Sequence, residues 1–219
     1  MTINKEPKGS SKASAINIVT TDGEKLFNSA KKLSTYDAKE DSLGNPGTDG
    51  YVLSSTTSGT RSWVSRNGTV TTVATTSGTG AKDLSTTIPA WATEITISFF
   101  NFSTNGTVMP VIQVGDGTYV TTGYLGSARR ISGTAALHST GFRLGNTWDA
   151  AYVVHGIIKL TLHNSTTHVW ACSGSIARSG TAMNWVLAGS IDLTSALDRA
   201  RITIGANTYD GGSVAIRYS

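Results

Sequence analysis

The sequence predicts a mainly β protein whose C-terminal part is an antiparallel β-sandwich of the jelly-roll type. Glycine is frequent, with 24 residues in 219, while only 15% of residues are charged, a composition typical of short strands joined by tight turns. Polar and apolar residues alternate with period two in one stretch after another, as they do in half-buried strands. We divide the chain into an N-terminal segment (1–42), a glycine-rich linker with a hairpin (43–66) and a β-sandwich domain (67–219).

The N-terminal segment combines polar stretches with one predicted helix. Residues 1–13 are polar and aperiodic, so alone they cannot offset the conformational entropy lost in a fixed structure. The stretch from Thr21 to Glu24 has the spacing of a capping box and predicts a helix of about three turns after it. We expect an extended segment that anchors the chain to a larger assembly through its apolar residues, which are Ile16, Ile18, Leu26, Phe27, Ala30 and Leu33.

The charge distribution argues against nucleic-acid binding. The net charge of +4 is modest, and the lysines before residue 41 are interspersed with acidic residues rather than clustered. No apolar run is long enough for a membrane-spanning helix, and residues 1–15 lack the apolar core of a secretory signal. We therefore expect no nucleic-acid partner, no membrane insertion and no signal peptide.

A hairpin is predicted directly after the glycine-rich linker. Gly44, Gly47 and Gly50 precede Tyr51-Val-Leu, which can pair with Ser62-Trp-Val across a loop of serine, threonine and glycine. The pattern Gly-x-x-Gly-x-Val-Leu-Ser-Ser, followed by Trp-Val, resembles a module of tail-fibre and other structural proteins of tailed bacteriophages.

The stretch ending at Phe102 carries the clearest strand pattern. Ile95, Ile97 and Phe99 alternate with polar residues, whereas Phe100 and Phe102 continue in the opposite phase. We therefore expect the buried face of this strand to change sides between Phe99 and Phe100, through a β-bulge or a twisted bend.

Further strands follow without an intervening helix, which indicates a sandwich or jelly roll. They are predicted at Thr69–Thr76, Glu94–Ser103, Val111–Val114, Thr118–Thr122, Thr140–Leu144, Tyr152–His163, Val169–Ala177, Ala182–Leu187, Ala200–Ile204 and Ser213–Tyr218. Gly115-Asp-Gly and Asp210-Gly-Gly are interpreted as turns between strands. Trp91, Trp170 and Trp185 lie in or beside these patterns, and we expect them in the core.

Several separated motifs of this domain resemble the C-terminal domain of phage tail proteins. They are Ile88-Pro-x-Trp91, Phe102-Ser-Thr-Asn-Gly106, Val114-Gly-Asp-Gly117, Thr122-Gly-Tyr124, Gly141-Phe142 and Tyr209-Asp-Gly-Gly-Ser-Val-x-Ile216. The resemblance implies a homotrimeric virion protein that binds a host surface or decorates the particle. It also implies synthesis in the host cytoplasm and attachment to tail or other virion proteins.

No stretch amounts to an active-site motif, and we expect no enzyme activity, metal or cofactor. His163 and His168 flank a predicted hairpin turn, but no further metal ligand is near them in sequence. Cys172 is the single cysteine and alternates with Trp170 in a strand, which favours a buried thiol over a nucleophile. The aspartates at 116, 149, 192 and 198 fall in turns and loops, and nothing in the sequence pairs them as glycoside hydrolysis requires.

Glycan binding is the chemistry that the sequence favours. Sugar sites combine aromatic faces with fixed polar groups on the loops of a rigid scaffold. Two loop regions offer such residues, namely Tyr119, Tyr124, Arg129 and Arg130 in the first and His138, Asn146, Trp148 and Asp149 in the second. Alternatively, Tyr124 and Trp148 pack at subunit contacts, and the two arginines are solvated. The arginines could equally face an acidic polysaccharide of the host.

Three functions are open on the sequence. The first is a fibre or spike that recognises host-surface glycan, and the second is a structural head or tail protein without a receptor role. The third is a trimeric lectin-like module outside any virus. The resemblance of the N-terminal half to virion proteins favours the first two.

Overall fold

The computed structural model describes residues 51–55, 58, 61–65 and 70–219. These residues fall into two units, a hairpin that precedes Arg66 and a β body that follows it. Thirteen strands and no helix occur in this described part of the chain. The predicted anchor, including its helix and the apolar residues from Ile16 to Leu33, lies outside the described residues.

The hairpin consists of β1 (Tyr51–Ser55) and β2 (Arg61–Ser65), which pair antiparallel. Leu53 lies opposite Trp63, and Val52 lies opposite Val64. The pairing predicted from the Tyr-Val-Leu and Ser-Trp-Val segments is therefore confirmed.

The β body is one antiparallel sheet of eleven strands. The strands are β3 (Thr71–Ala74), β4 (Thr79–Ser85), β5 (Glu94–Thr104), β6 (Val111–Gly115), β7 (Leu125–Arg130), β8 (Ala135–Leu137), β9 (Phe142–Arg143), β10 (Val154–Asn164), β11 (Val169–Arg178), β12 (Asn184–Asp192) and β13 (Arg199–Tyr218). Their order in the sheet is β8-β7-β12-β11-β10-β5-β13-β6-β9, and β3 and β4 also pair with β13. The prediction of a mainly β, antiparallel body is confirmed.

The long strand β13 bends this sheet back on itself. Residues 199–203 of β13 pair with β4 and β6, whereas residues 209–218 pair with β5 and, in part, with β3. We call β4, the first half of β13, β6 and β9 the smaller layer, and the remaining strands the larger layer. Because β9 of the smaller layer lies beside β7 and β12, the sheet is nearly closed, like a barrel.

The clearest predicted strand, β5, alternates as expected but changes phase one residue later. Ile95, Ile97 and Phe99 are buried, whereas Phe100 is 64% exposed and Phe102 is buried again. Asn101 has a left-handed φ of 50°, and the register with β10 and β13 shifts next to it. The expectation that Phe100 points inward is therefore wrong, because the bulge lies after Phe100 rather than before it.

Several strands differ from the sequence prediction. Residues 118–122 form no strand and contribute a single bridge between Gly115 and Tyr119. The sequence does not predict β4, β7 or β8. The segments of β4 and β7 hold few apolar residues and show no regular alternation, and β8 is only three residues long. The Asp210-Gly-Gly segment is not a turn between two strands, since it lies inside β13 as an irregularity of the pairing with β5.

The core lies between the two layers and contains most of the large apolar side chains. Trp185 is fully buried and Trp170 is 2% exposed, as predicted. Trp91, by contrast, is 58% exposed and contacts Tyr218 edge to face, so its predicted place in the core is wrong. It lies in a turn closed by a bond from the Ala92 N–H to the Pro89 carbonyl, where strand alternation does not apply.

The thiol of Cys172 is buried in β11, as predicted from its alternation with Trp170. Burial raises the pKa of this thiol far above its ordinary value, because the charged thiolate is disfavoured away from water.

Candidate functional site

The predicted ligand-binding residues are spread over the β body rather than gathered at one place. Three of the eight, Tyr124, His138 and Trp148, are buried. A ligand at the surface would not reach them, and each packs and forms hydrogen bonds within the core.

Tyr124 fixes the connection between β6 and β7. Its hydroxyl accepts a 2.9 Å hydrogen bond from the Val114 N–H and donates a 3.1 Å bond to the Val120 carbonyl. Its ring meets Phe142 edge to face, with centroids 4.9 Å apart. Burial raises the pKa of Tyr124 to about 12.

Trp148 is anchored in a similar way. Its indole Nε1 donates a 2.8 Å hydrogen bond to Thr104 Oγ1, and its ring packs near Phe102 and Tyr152 at centroid distances of 5.9 Å each.

His138 lies in the core where β7 approaches β12. Its Nδ1 accepts a 3.0 Å hydrogen bond from the Arg143 N–H. A Cβ on Gly189 would lie 2.8 Å from the ring, so the glycine makes room for the imidazole. Burial lowers the pKa of His138 to about 4, and the charge of Arg143 acts in the same direction. Within the described residues its Nε2 completes no hydrogen bond. The backbone of Ala188 nevertheless favours the protonated imidazole and so partly offsets the lowering of the pKa.

The remaining residues of the second predicted region shape loops. The side chain of Asn146 accepts a 3.2 Å hydrogen bond from the Arg130 N–H, and Asp149 accepts a 2.9 Å bond from the Ala151 N–H.

Arg129 is exposed on β7, and successive residues of a strand point to opposite faces. Arg129 and Arg130 therefore do not act together as a pair.

Tyr119 is the predicted residue around which other polar groups converge. It follows the tight turn that begins at Gly115, where a Cβ would lie only 1.8 Å from the Thr118 carbonyl oxygen. Gly117 in the same turn has a φ of 90°, a conformation that favours glycine. The bridge between Gly115 and Tyr119 then fixes the tyrosine on the outer face of the smaller layer.

Tyr119 contacts charged side chains of β4 and β13. Its hydroxyl donates a 2.7 Å hydrogen bond to Asp83, and the Arg201 guanidinium lies over its ring at 4.2 Å from the centroid. The Arg199 guanidinium lies farther away, at 5.8 Å. Burial, followed by the hydrogen bond and charge of Asp83, raises the pKa of Tyr119 well above its ordinary value. The phenol is therefore a neutral hydrogen-bond donor at physiological pH.

Arg201 is held in place by a second, buried contact. Its Nε donates a 2.8 Å hydrogen bond to Gln113 Oε1, and Gln113 in turn donates a 2.7 Å bond to the Thr140 carbonyl. Gln113 is 5% exposed, so this support is shielded from water. Among the described residues, the two terminal nitrogens of Arg201 have neither a hydrogen-bond acceptor nor an ion-pair partner.

Arg199 differs from Arg201 because its charge is already compensated. Its Nε and Nη2 donate to the two carboxylate oxygens of Asp198 at 2.7 and 2.9 Å. This hydrogen bonding lowers the pKa of Asp198. We call Asp83, Gln113, Tyr119 and Arg201 the Tyr119 cluster and treat Arg199 as its neighbour.

The Tyr119 cluster presents both a donor and an acceptor at the surface. Asp83 uses one oxygen to accept from Tyr119, and within the described residues its second oxygen accepts no hydrogen bond. Arg201 offers its terminal N–H groups beside it. Such an arrangement can bind a polar ligand through hydrogen bonds, because fixed side chains lose little conformational freedom on binding.

The sequence indicated Tyr119 but not Asp83 or Arg201. Asp83 lies on β4, which the sequence does not predict. Arg201 lies on a strand that is predicted from its apolar residues rather than its charged ones. One signal was available, since the alternation of Arg199 and Arg201 with Ala200 and Ile202 places both arginines on the outer face.

Metal-ligand clusters and membrane-spanning helices are both absent from the described residues. No three His, Cys, Asp or Glu side chains of that part of the chain lie together as metal ligands would. Nor does that part contain a helix with the length and apolar character needed to cross a membrane.

Comparison with known proteins adds no relative to this picture. No protein-family model matches the chain. No curated protein and no solved structure was found to match it either.

Proposed function

We propose that the chain is a fibre or spike protein of a tailed-phage virion and that its β body recognises glycan on the host surface. In this proposal the chain is a homotrimer, the N-terminal segment joins it to the tail, and the β body is a jelly-roll-like sandwich. The support for the phage origin is the set of motifs in the linker, in the hairpin and along the β body.

The observation that carries the recognition role is the Tyr119 cluster. Its side chains come from β4, β6, β13 and the turn after β6, so rigid strands hold most of the site. Donor groups of Arg201 and an acceptor oxygen of Asp83 have no partner among the described residues. Because other contacts already fix both side chains, a polar ligand would bind them with little further loss of conformational freedom.

A second candidate function is a structural head or tail protein that binds only other virion proteins. Exposed apolar side chains on the larger layer favour it, because such residues often mark protein interfaces. Leu137 is 76% exposed, Leu125 and Phe100 are each 64% exposed, and Ile157 is 53% exposed. These residues could equally form the contacts within the proposed homotrimer.

Cell binding separates the two functions. Fluorescently labelled full-length protein should bind cells of the host strain and reduce adsorption of phage that carries it. Protein that trimerises, enters virions and binds no cell type would support the structural role and contradict the recognition role. Light scattering gives the oligomeric state, since a trimer has three times the 22.9 kDa mass of the chain.

A further inference from the structure

Asp83 and Arg201 lie opposite each other in the register of β4 and β13. Oppositely charged residues at such positions commonly form an ion pair. The structure holds no ion pair between these two, whereas two other ion pairs, Arg199 with Asp198 and Lys159 with Glu94, occur among the described residues.

Tyr119 explains why the pair does not close. Its ring lies under the Arg201 guanidinium, and its hydroxyl holds Asp83 at 2.7 Å. The tyrosine thus occupies the position at which the two charges would otherwise meet. The second oxygen of Asp83 and the terminal N–H groups of Arg201 therefore remain open to solvent near the tyrosine.

The charges of the Tyr119 cluster are balanced. Asp83 contributes one negative charge and Arg201 one positive charge to the Tyr119 cluster. The nearby Asp116 carboxylate accepts hydrogen bonds from the N–H and hydroxyl groups of Thr194 and Ser195, so it is already satisfied. An anionic ligand would gain from Arg201 but be repelled by Asp83, and a cationic ligand would meet the reverse.

An uncharged ligand with neighbouring hydroxyl groups suits the Tyr119 cluster best. A hydroxyl can donate to a carboxylate and can accept from a guanidinium, and hydrogen bonds to charged groups are the stronger ones. Two adjacent hydroxyls of a sugar ring offer both functions at once. Arg201 covers one face of the Tyr119 ring, so that face is not available for stacking on the sugar.

We propose that the Tyr119 cluster binds an uncharged sugar through two adjacent hydroxyl groups, one donating to Asp83 and the other accepting from Arg201. This inference rests on the proposed glycan recognition and specifies its ligand class. It is opposed to the expectation that arginines of this protein face an acidic polysaccharide. Each site makes few contacts and binds weakly, so useful affinity depends on several copies acting together.

The test uses full-length protein, a panel of uncharged and acidic bacterial surface polysaccharides, and cells of the host strain. Asp83→Asn keeps an oxygen for the Tyr119 hydroxyl but replaces the second oxygen with an N–H donor. Arg201→Lys keeps the charge but removes the donor fork. Each variant should lower the affinity for uncharged polysaccharide about tenfold or more, the loss expected for one hydrogen bond to a charged group. Arg217→Lys, on the same strand but in the larger layer, is the matched control and should change the affinity less than about twofold.

Salt dependence provides a readout that misfolding would not mimic. Binding of an uncharged sugar should change little between about 0.05 and 0.5 M sodium chloride, whereas binding of a polyanion should weaken strongly. Binding confined to acidic polysaccharides, or binding of uncharged ones unchanged in both variants, would overturn the inference. In those cases cell binding by the wild type would still support the proposed function. Absence of cell binding would contradict the proposed function itself.

Discussion

Mild acid should destabilise the β body through His138, the buried histidine that directly follows β8. The pKa of His138 is lowered from 6.5 to about 4 in the folded chain, so between these values the unfolded chain binds a proton that the folded chain does not. Stability is therefore full above about pH 6.5 and falls as the pH is lowered toward 4. Each pKa unit corresponds to about 1.4 kcal/mol, so on the order of 2 kcal/mol of unfolding free energy should be lost by about pH 4.5.

Urea unfolding of the β body at about pH 7.5 and about pH 4.5, followed by tryptophan fluorescence, measures this loss. His138→Asn should abolish most of it, because asparagine can still accept from the Arg143 N–H but does not titrate. His163→Gln, at an exposed position, should retain the wild-type loss. The pKa of Asp198 is lowered in the folded chain, so the stability that its ionised carboxylate contributes is lost only below the pH range of this comparison. Equal losses in wild type and His138→Asn would refute the reasoning.

Four further predictions concern the core, the surface and the N-terminal segment. Phe102→Ala should cost about 3–5 kcal/mol of unfolding free energy in urea titration, because the fully buried ring contacts other aromatic rings. Lys159→Ala should cost less than about 1 kcal/mol in the same assay, because its 2.7 Å ion pair with Glu94 is largely exposed. Cys172 should resist a thiol reagent until denaturant is added, and rapid labelling of folded protein would contradict its burial. Deletion of residues 1–40 should leave a folded protein that no longer enters virions, and normal incorporation would refute anchoring.

The strands that sequence reasoning found are those whose burial alternates. β5, β10 and β11 each carry apolar residues at every second position, since one face packs on the core. β4 and β7 each carry a single buried residue and are strands because neighbouring strands pair with them. Pairing with a distant neighbour leaves no local signal in the sequence.

The candidate site was predictable only in part for the same reason. Tyr119 stands beside a recognisable turn, and an aromatic residue near such a turn is a natural candidate for ligand contact. Asp83 and Arg201 come together through the register of β4 and β13, two strands far apart in the chain. His138 and Trp148 show the opposite case, because their loops looked polar but fold their rings into the core.

β13 belongs to both layers of the sheet, and this affects how the protein folds. All of its partners, β3 to β6, come from the stretch between Thr71 and Gly115, so its pairing closes long loops of chain. Contacts of this kind raise the contact order and slow folding. Neither layer can complete its hydrogen bonds before β13 has docked, so both should form in one late, cooperative step. Because both layers depend on β13, amide exchange in β4 and β5 should report a single opening event rather than two.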